Sequence, residues 1–180
     1  MTSEQLNISQ DMVQYGTDLD PIIQLIEKTP RDKCVPAIAE QIRRGLTYRQ
    51  FLTALLLSAM RKSNAHHEVY CIHAAYQMSL DMQYNNQFLP LLWAMDSFKR
   101  QQENSPAPIL TLLKGPLPAP QHAQKAFREG MEAWDQERAE RGLASLVRNV
   151  GPSAIIEDLW HYGARDWGFI GHKIIAVTNC

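Results

Sequence analysis

The chain has little cysteine, almost no net charge and no long hydrophobic run. Its three cysteines, Cys34, Cys71 and Cys180, are odd in number and far apart in 180 residues. No CxxC pair occurs, so neither a zinc-finger spacing nor a disulfide framework is present. The thiols read as reduced, which places the protein in the cytoplasm. The formal net charge is −1, so the chain as a whole carries no electrostatic footprint for nucleic acid or an anionic membrane. The longest apolar run, FLTALLLSAM, falls far short of the roughly 18–20 residues of a membrane span. The opening MTSEQLNISQDMVQ has neither the basic nor the apolar region of a secretory signal. Walker, GxGxxG and GxSxG patterns are missing. So is any period-2 alternation bounded by turn pairs, and with it any strand signal.

What is present is helical periodicity. Ile22, Ile23, Leu25 and Ile26 crowd one side of a helix that Thr29-Pro30 ends, because a residue before proline avoids the α region. A second helix runs through Val35, Ile38 and Ile42 to Gly45, which suits its C′ position. Thr47 and Gln50 form a capping box for TYRQFLTALLLSAMRK. HHEVYCIHAAYQMSLDM and QFLPLLWAMDSFKRQQ make two more helices, with Pro90 near the start of the second. The stretch SPAPILTLLKGPLPAP holds five of the ten prolines and reads as an extended connector. A charged helix QHAQKAFREGMEAWDQERAE follows, with Gly142 expected to end or kink it. LASLVRNV adds a short helix, Pro152 opens SAIIEDLWHYGARD, and a last helix begins near Gly171. The fold expected is an all-α helical bundle of about eight or nine helices. Residues 1–18 form a flexible leader, 19–104 a first half, 105–120 the connector and 121–180 a second half, within one compact domain.

The two halves resemble each other. GLTYRQFLTALLLSAMR and GPSAIIEDLWHYGAR each run from a glycine through an apolar helix to an arginine, Arg61 or Arg165. A histidine helix follows each, so that His67 and His172 correspond. Two such hairpins must bury their apolar faces together, and pseudo-twofold packing would bring the histidine helices close. His67 shares a stripe with Cys71, Ala74 and Met78, and His172 one with Ile175, Ala176 and Asn179. An otherwise apolar stripe implies that His67 is buried, where it needs a partner: a carbonyl, another side chain or a bound metal.

His66, Tyr70, His73 and Gln77 fall on one face, which reads as half of a metal site or as a polar stripe bonded to a neighbouring helix. Asp158 and His161 have the spacing of a di-iron carboxylate site, but the helical wheel opposes it. It puts Ile155, Ile156, Leu159, Trp160 and Gly163 on the inner face. Arg165-Asp166 before Gly171-His172 reads as a turn-holding ion pair or as an anion clamp. Cys71 belongs to apolar packing and is expected to be inert.

In order and content, GLTYRQFLTALLLSAMR, HHEVYCIHAAY, FLPLLWAMDSFKRQQ and GARDWGFIGHKII resemble a family of functionally uncharacterised bacterial helical proteins frequent in planctomycetes. The likeness covers roughly residues 30–180. His67, Asp96, Lys99, Arg165, Asp166, Gly171, His172 and Lys173 match its pattern. The resemblance implies the segmentation above and no particular activity. It also implies a longer chain beyond GHK, so this one would be a short version or a fragment lacking part of the site.

Two functions follow as expectations. The first is a small metal- or cofactor-dependent enzyme, of redox type, with iron or another transition metal as cofactor. Its metal ligands would be His66, His67, His73 and His172, and its catalytic groups His67, His172, Arg165 and Asp166. The alternative is a non-catalytic helical scaffold or protein-interaction module with structural histidines. On either reading the C-terminal helix is a surface for self-association or a partner chain. Nucleic acid and membrane are not expected as partners.

Overall fold

The computed structural model describes residues 16–165 and 171–179. Among them it forms nine α-helices, two short 3₁₀ turns and no strand. The all-α expectation therefore holds. The chain divides into two compact units, Met1–Leu112 and Leu113–Cys180.

The first unit contains α1 (Asp20–Lys28), α2 (Arg31–Arg43), α3 (Tyr48–Met60), α4 (His66–Leu80) and α5 (Phe88–Asn104). Local chemistry sets their ends. Thr29 is extended before Pro30 and stops α1. Gly45, at φ 105°, turns the chain after α2. Thr47 accepts a hydrogen bond from the Gln50 N–H while the Gln50 side chain returns one from Thr47 N–H, at 3.3 and 3.0 Å, which starts α3. The core is Ile23, Ile26, Ile38, Phe51, Leu55, Ile72, Leu91, Met95 and Phe98, each at most 1% exposed. Each such side chain contributes about 1.5–3 kcal/mol through burial.

Charge is built into this interior. Arg61, which caps α3, donates from Nε to Glu27 Oε1 at 2.7 Å, and its Nη2 pairs with the other oxygen. Their side chains are 11% and 10% exposed. Lys99 is buried and donates from Nζ to the Glu27 carbonyl at 3.0 Å. The first part of the proline-rich connector lies against the α3–α4 turn, where Leu110 N–H donates to Arg61 O at 2.8 Å.

The second unit contains α6 (Pro120–Ala133), α7 (Gln136–Asn149), α8 (Ile156–Arg165) and α9 (His172–Asn179). The charged segment expected to run to Gly142 breaks earlier. Trp134 takes the left-handed conformation at φ 57°, and Asp135 caps α7 through the Arg138 N–H at 3.1 Å. Gly142 instead lies inside α7, where an added Cβ would stand 2.5 Å from Phe127 N. Gly130 on α6 is likewise pressed against the Ala139 backbone. These glycines let α6 and α7 touch backbone to backbone. Pro152 opens a 3₁₀ turn rather than α8 itself. Phe127 and Tyr162 meet edge-on, 5.7 Å between centroids, in the small core of this unit.

Candidate functional site

His66 and His67 open α4, and both are exposed. The burial expected for His67 is thus corrected. The inward face of α4 is Glu68, Ile72, Ala75 and Ser79, and His67 lies off it. Its ring stands 4.8 Å from that of His66 and 6.0 Å from that of Tyr70. His73 is half-buried, and its Nε2 lies 3.3 Å from Gln77 Nε2 one turn along the same helix. His172 belongs to the second unit and is half-buried at the start of α9. Among the described residues no group of three or more His, Cys, Asp or Glu side chains is placed to hold a metal ion.

Arg165 closes α8 as a fastener. It donates to Glu132 Oε2 at 3.1 Å and to the Met131 carbonyl at 3.0 Å. Its guanidinium also stacks 5.0 Å from the rings of Trp134 and Tyr162, and Lys173 lies 5.2 Å from the Trp134 ring. Asp166 lies outside the described residues. α9 meets α8 through Ile174 and Val177 at Gly163, so the stripe of His172 and the exposed Ile175 faces elsewhere.

Of the inner face expected around α8, Ile155 and Gly163 are buried and Leu159 is half-buried, but two residues are corrected. Asp158 is buried, whereas Ile156 and Trp160 are exposed. Asp158 accepts from Arg128 Nε at 2.9 Å and Gln124 Nε2 at 3.1 Å. Burial alone would raise its carboxyl, but these bonds and the Arg128 charge outweigh burial and hold it below the ordinary range. That carboxylate is engaged by two α6 side chains. Asp96 in the first unit is held too, by a bidentate Arg31 at 2.8 Å on each side.

The chemistry left over lies between α4 and α5. A groove of ≈540 Å³ runs there, lined by Cys71, Ala74, Ala75, Met78, Met82, Leu89, Pro90 and Trp93. Met78, Leu89 and Trp93 are 62%, 58% and 60% exposed. Glu68, Cys71, Ala75, Met78 and Met82 follow alternating three- and four-residue steps, the spacing of one helix stripe. Leu89, Trp93 and Ser97 form the facing stripe on α5. Burial raises the Cys71 thiol, aided by the Glu68 charge.

Glu68 ends the α4 stripe and is 6% exposed. Its Oε2 is buried without a hydrogen-bond partner. Burial pushes its carboxyl above the usual range, against the pull of the Ser97 hydroxyl and the charges of His67 and Arg100. No family model, curated protein or solved structure matches the chain. The site therefore stands on its own geometry.

Sequence reasoning singled out Cys71, Ala74 and Met78 but assigned them to packing. It passed over Met82, Leu89, Trp93 and Ser97. The signal was there. FLPLLWAMDSFK is apolar on more sides than a helix with one buried face needs, and Leu89 and Trp93 are the excess. In the second unit a smaller apolar hollow of ≈430 Å³ adjoins Phe127, Met131, Trp134, Leu143 and Leu159.

Proposed function

We propose that the protein is a non-catalytic helical interaction module, and that its first unit docks an amphipathic helix of a partner protein along the α4–α5 groove. The observation carrying this is the open apolar groove, in which Met78, Leu89 and Trp93 are exposed. Exposed contiguous apolar surface is costly in water and marks interaction sites. Methionine side chains adapt their shape to an incoming face, and a groove between two helices suits apolar anchors at helical spacing. Free thiols at Cys34 and Cys71 suit a cytoplasmic setting. Among the described residues no helix is long and apolar enough to cross a membrane.

The redox-enzyme reading has less behind it. His66 and His67 are exposed, and Arg165 is occupied with Glu132 and Met131. Two more residues that carry the family resemblance, Asp96 and Lys99, serve as fasteners.

A fluorescence-labelled peptide of about four helical turns, with leucines at i, i+3, i+4 and i+7, tests the reading. The full chain is expected to bind it with a Kd on the order of micromolar, and Met78→Glu and Trp93→Glu to weaken binding by about tenfold or more. No binding by the wild-type chain, or unchanged binding by both variants, overturns the reading.

A further inference from the structure

Beyond the groove, the stripes that line it run on into polar residues. Glu68 precedes Cys71 by one turn on α4, and Ser97 follows Trp93 by one turn on α5, so the facing stripes that line the groove continue into these two polar residues. Oε2 of Glu68 is buried there with no hydrogen-bond partner. Arg100 and His67 are close enough for their charges to be felt, but neither reaches that oxygen. A buried carboxylate oxygen left unpaired is among the more expensive features a fold can carry. The residues next to it along the groove, Cys71, Ala74 and Ala75, are small.

We propose that the docked helix carries a lysine or arginine at the end of its apolar face, and that this cation is the specificity element, pairing with Glu68. The inference rests on the docking reading above. Methionine and leucine contacts along the groove accept many apolar faces, so they cannot choose among partners. A buried acceptor can, because a partner lacking the donor leaves it unpaired. The carboxyl already lies above the usual range through burial, and a cation beside it would restore the charged form.

The test uses the full chain and two versions of the leucine-faced peptide, ending in lysine or in norleucine. The lysine peptide is expected to bind about tenfold or more tighter. The ¹³C shift of the Glu68 carboxyl should move with the lysine peptide only. In Glu68→Gln the preference should fall to less than about threefold. Equal affinity of the two peptides for the wild-type chain overturns the inference and leaves the docking reading standing. Failure of both to bind a chain with intact helical circular dichroism overturns both. The carboxyl shift in the wild-type chain decides the matter even where Glu68→Gln folds poorly, and an unmoved shift contradicts the pairing.

Discussion

The first unit ties three helices together through an interior charge cluster, whereas the second, which buries the single carboxylate of Asp158, brings helices together with glycine. In the first, Glu27, Arg61 and Lys99 are nearly or fully buried and join α1, α3 and α5. In the second, Arg138–Glu129, Arg141–Glu137 and Arg165–Glu132 pairs lie on the surface or at its edge, and close approach comes from Gly130 and Gly142. The difference bears on function. The first unit holds an interior ion pair and leaves an open apolar groove between α4 and α5. Glu68, buried with an unpaired oxygen, lies on the α4 stripe that continues beyond the groove.

The contrast can be broken first at the charge. Glu27→Gln leaves the buried Arg61 guanidinium without its carboxylate and is expected to cost about 3–5 kcal/mol. Denaturant unfolding of the full chain, followed by probes in each unit, should show the loss in the first unit. A cost under about 1 kcal/mol would mean that the pair is effectively solvated.

The glycine side can be broken next. Gly142→Ala sets two effects against each other. Alanine favours a helix interior by about 1 kcal/mol, but its Cβ would stand 2.5 Å from Phe127 N and 2.9 Å from the Ala123 carbonyl. The neighbours are backbone and cannot yield, so the clash wins and the second unit should lose about 2 kcal/mol. A stabilised Gly142→Ala would show that α6 and α7 do not pack this closely.

Smaller effects sharpen the comparison through pH. Glu68 has its folded carboxyl raised by burial. Below the ordinary glutamate value of about 4.3 both states are protonated and nothing is lost. As pH rises the unfolded chain ionises first, so folding is disfavoured at neutral pH. Glu68→Gln should therefore stabilise the first unit by about 1 kcal/mol at pH 7, and the gain should fade on acidification toward pH 4. Asp158 has the opposite sign, since its carboxyl is lowered. Its contribution is complete above the ordinary aspartate value of about 3.9 and disappears as pH falls through the lowered one. Thermal melts of Asp158→Asn should thus differ from wild type at pH 7 and converge with it in strong acid.

What the sequence made legible was local. The Thr47–Gln50 box, the positive-φ Gly45 and the proline-rich connector each depend on a few adjacent residues, and each is found. What it hid was what each face meets. The stripe of His67, Cys71, Ala74 and Met78 is apolar enough to look buried, yet periodicity cannot tell a face covered by the fold from one left for a partner. The burial of Asp158 was hidden because its partners, Gln124 and Arg128, lie on another helix. The break at Trp134 was invisible for a different reason. A bulky residue at φ 57° is held by surrounding contacts, among them the stacked Arg165 and Lys173, and not by its own preference.

The most direct test of the docking reading is amide chemical-shift mapping of the full chain during titration with the leucine-faced, lysine-ended peptide. Docking in the α4–α5 groove should give saturable shifts concentrated from Glu68 to Met82 and from Leu89 to Ser97. Shifts centred on other helices, or none at saturating peptide, would contradict it.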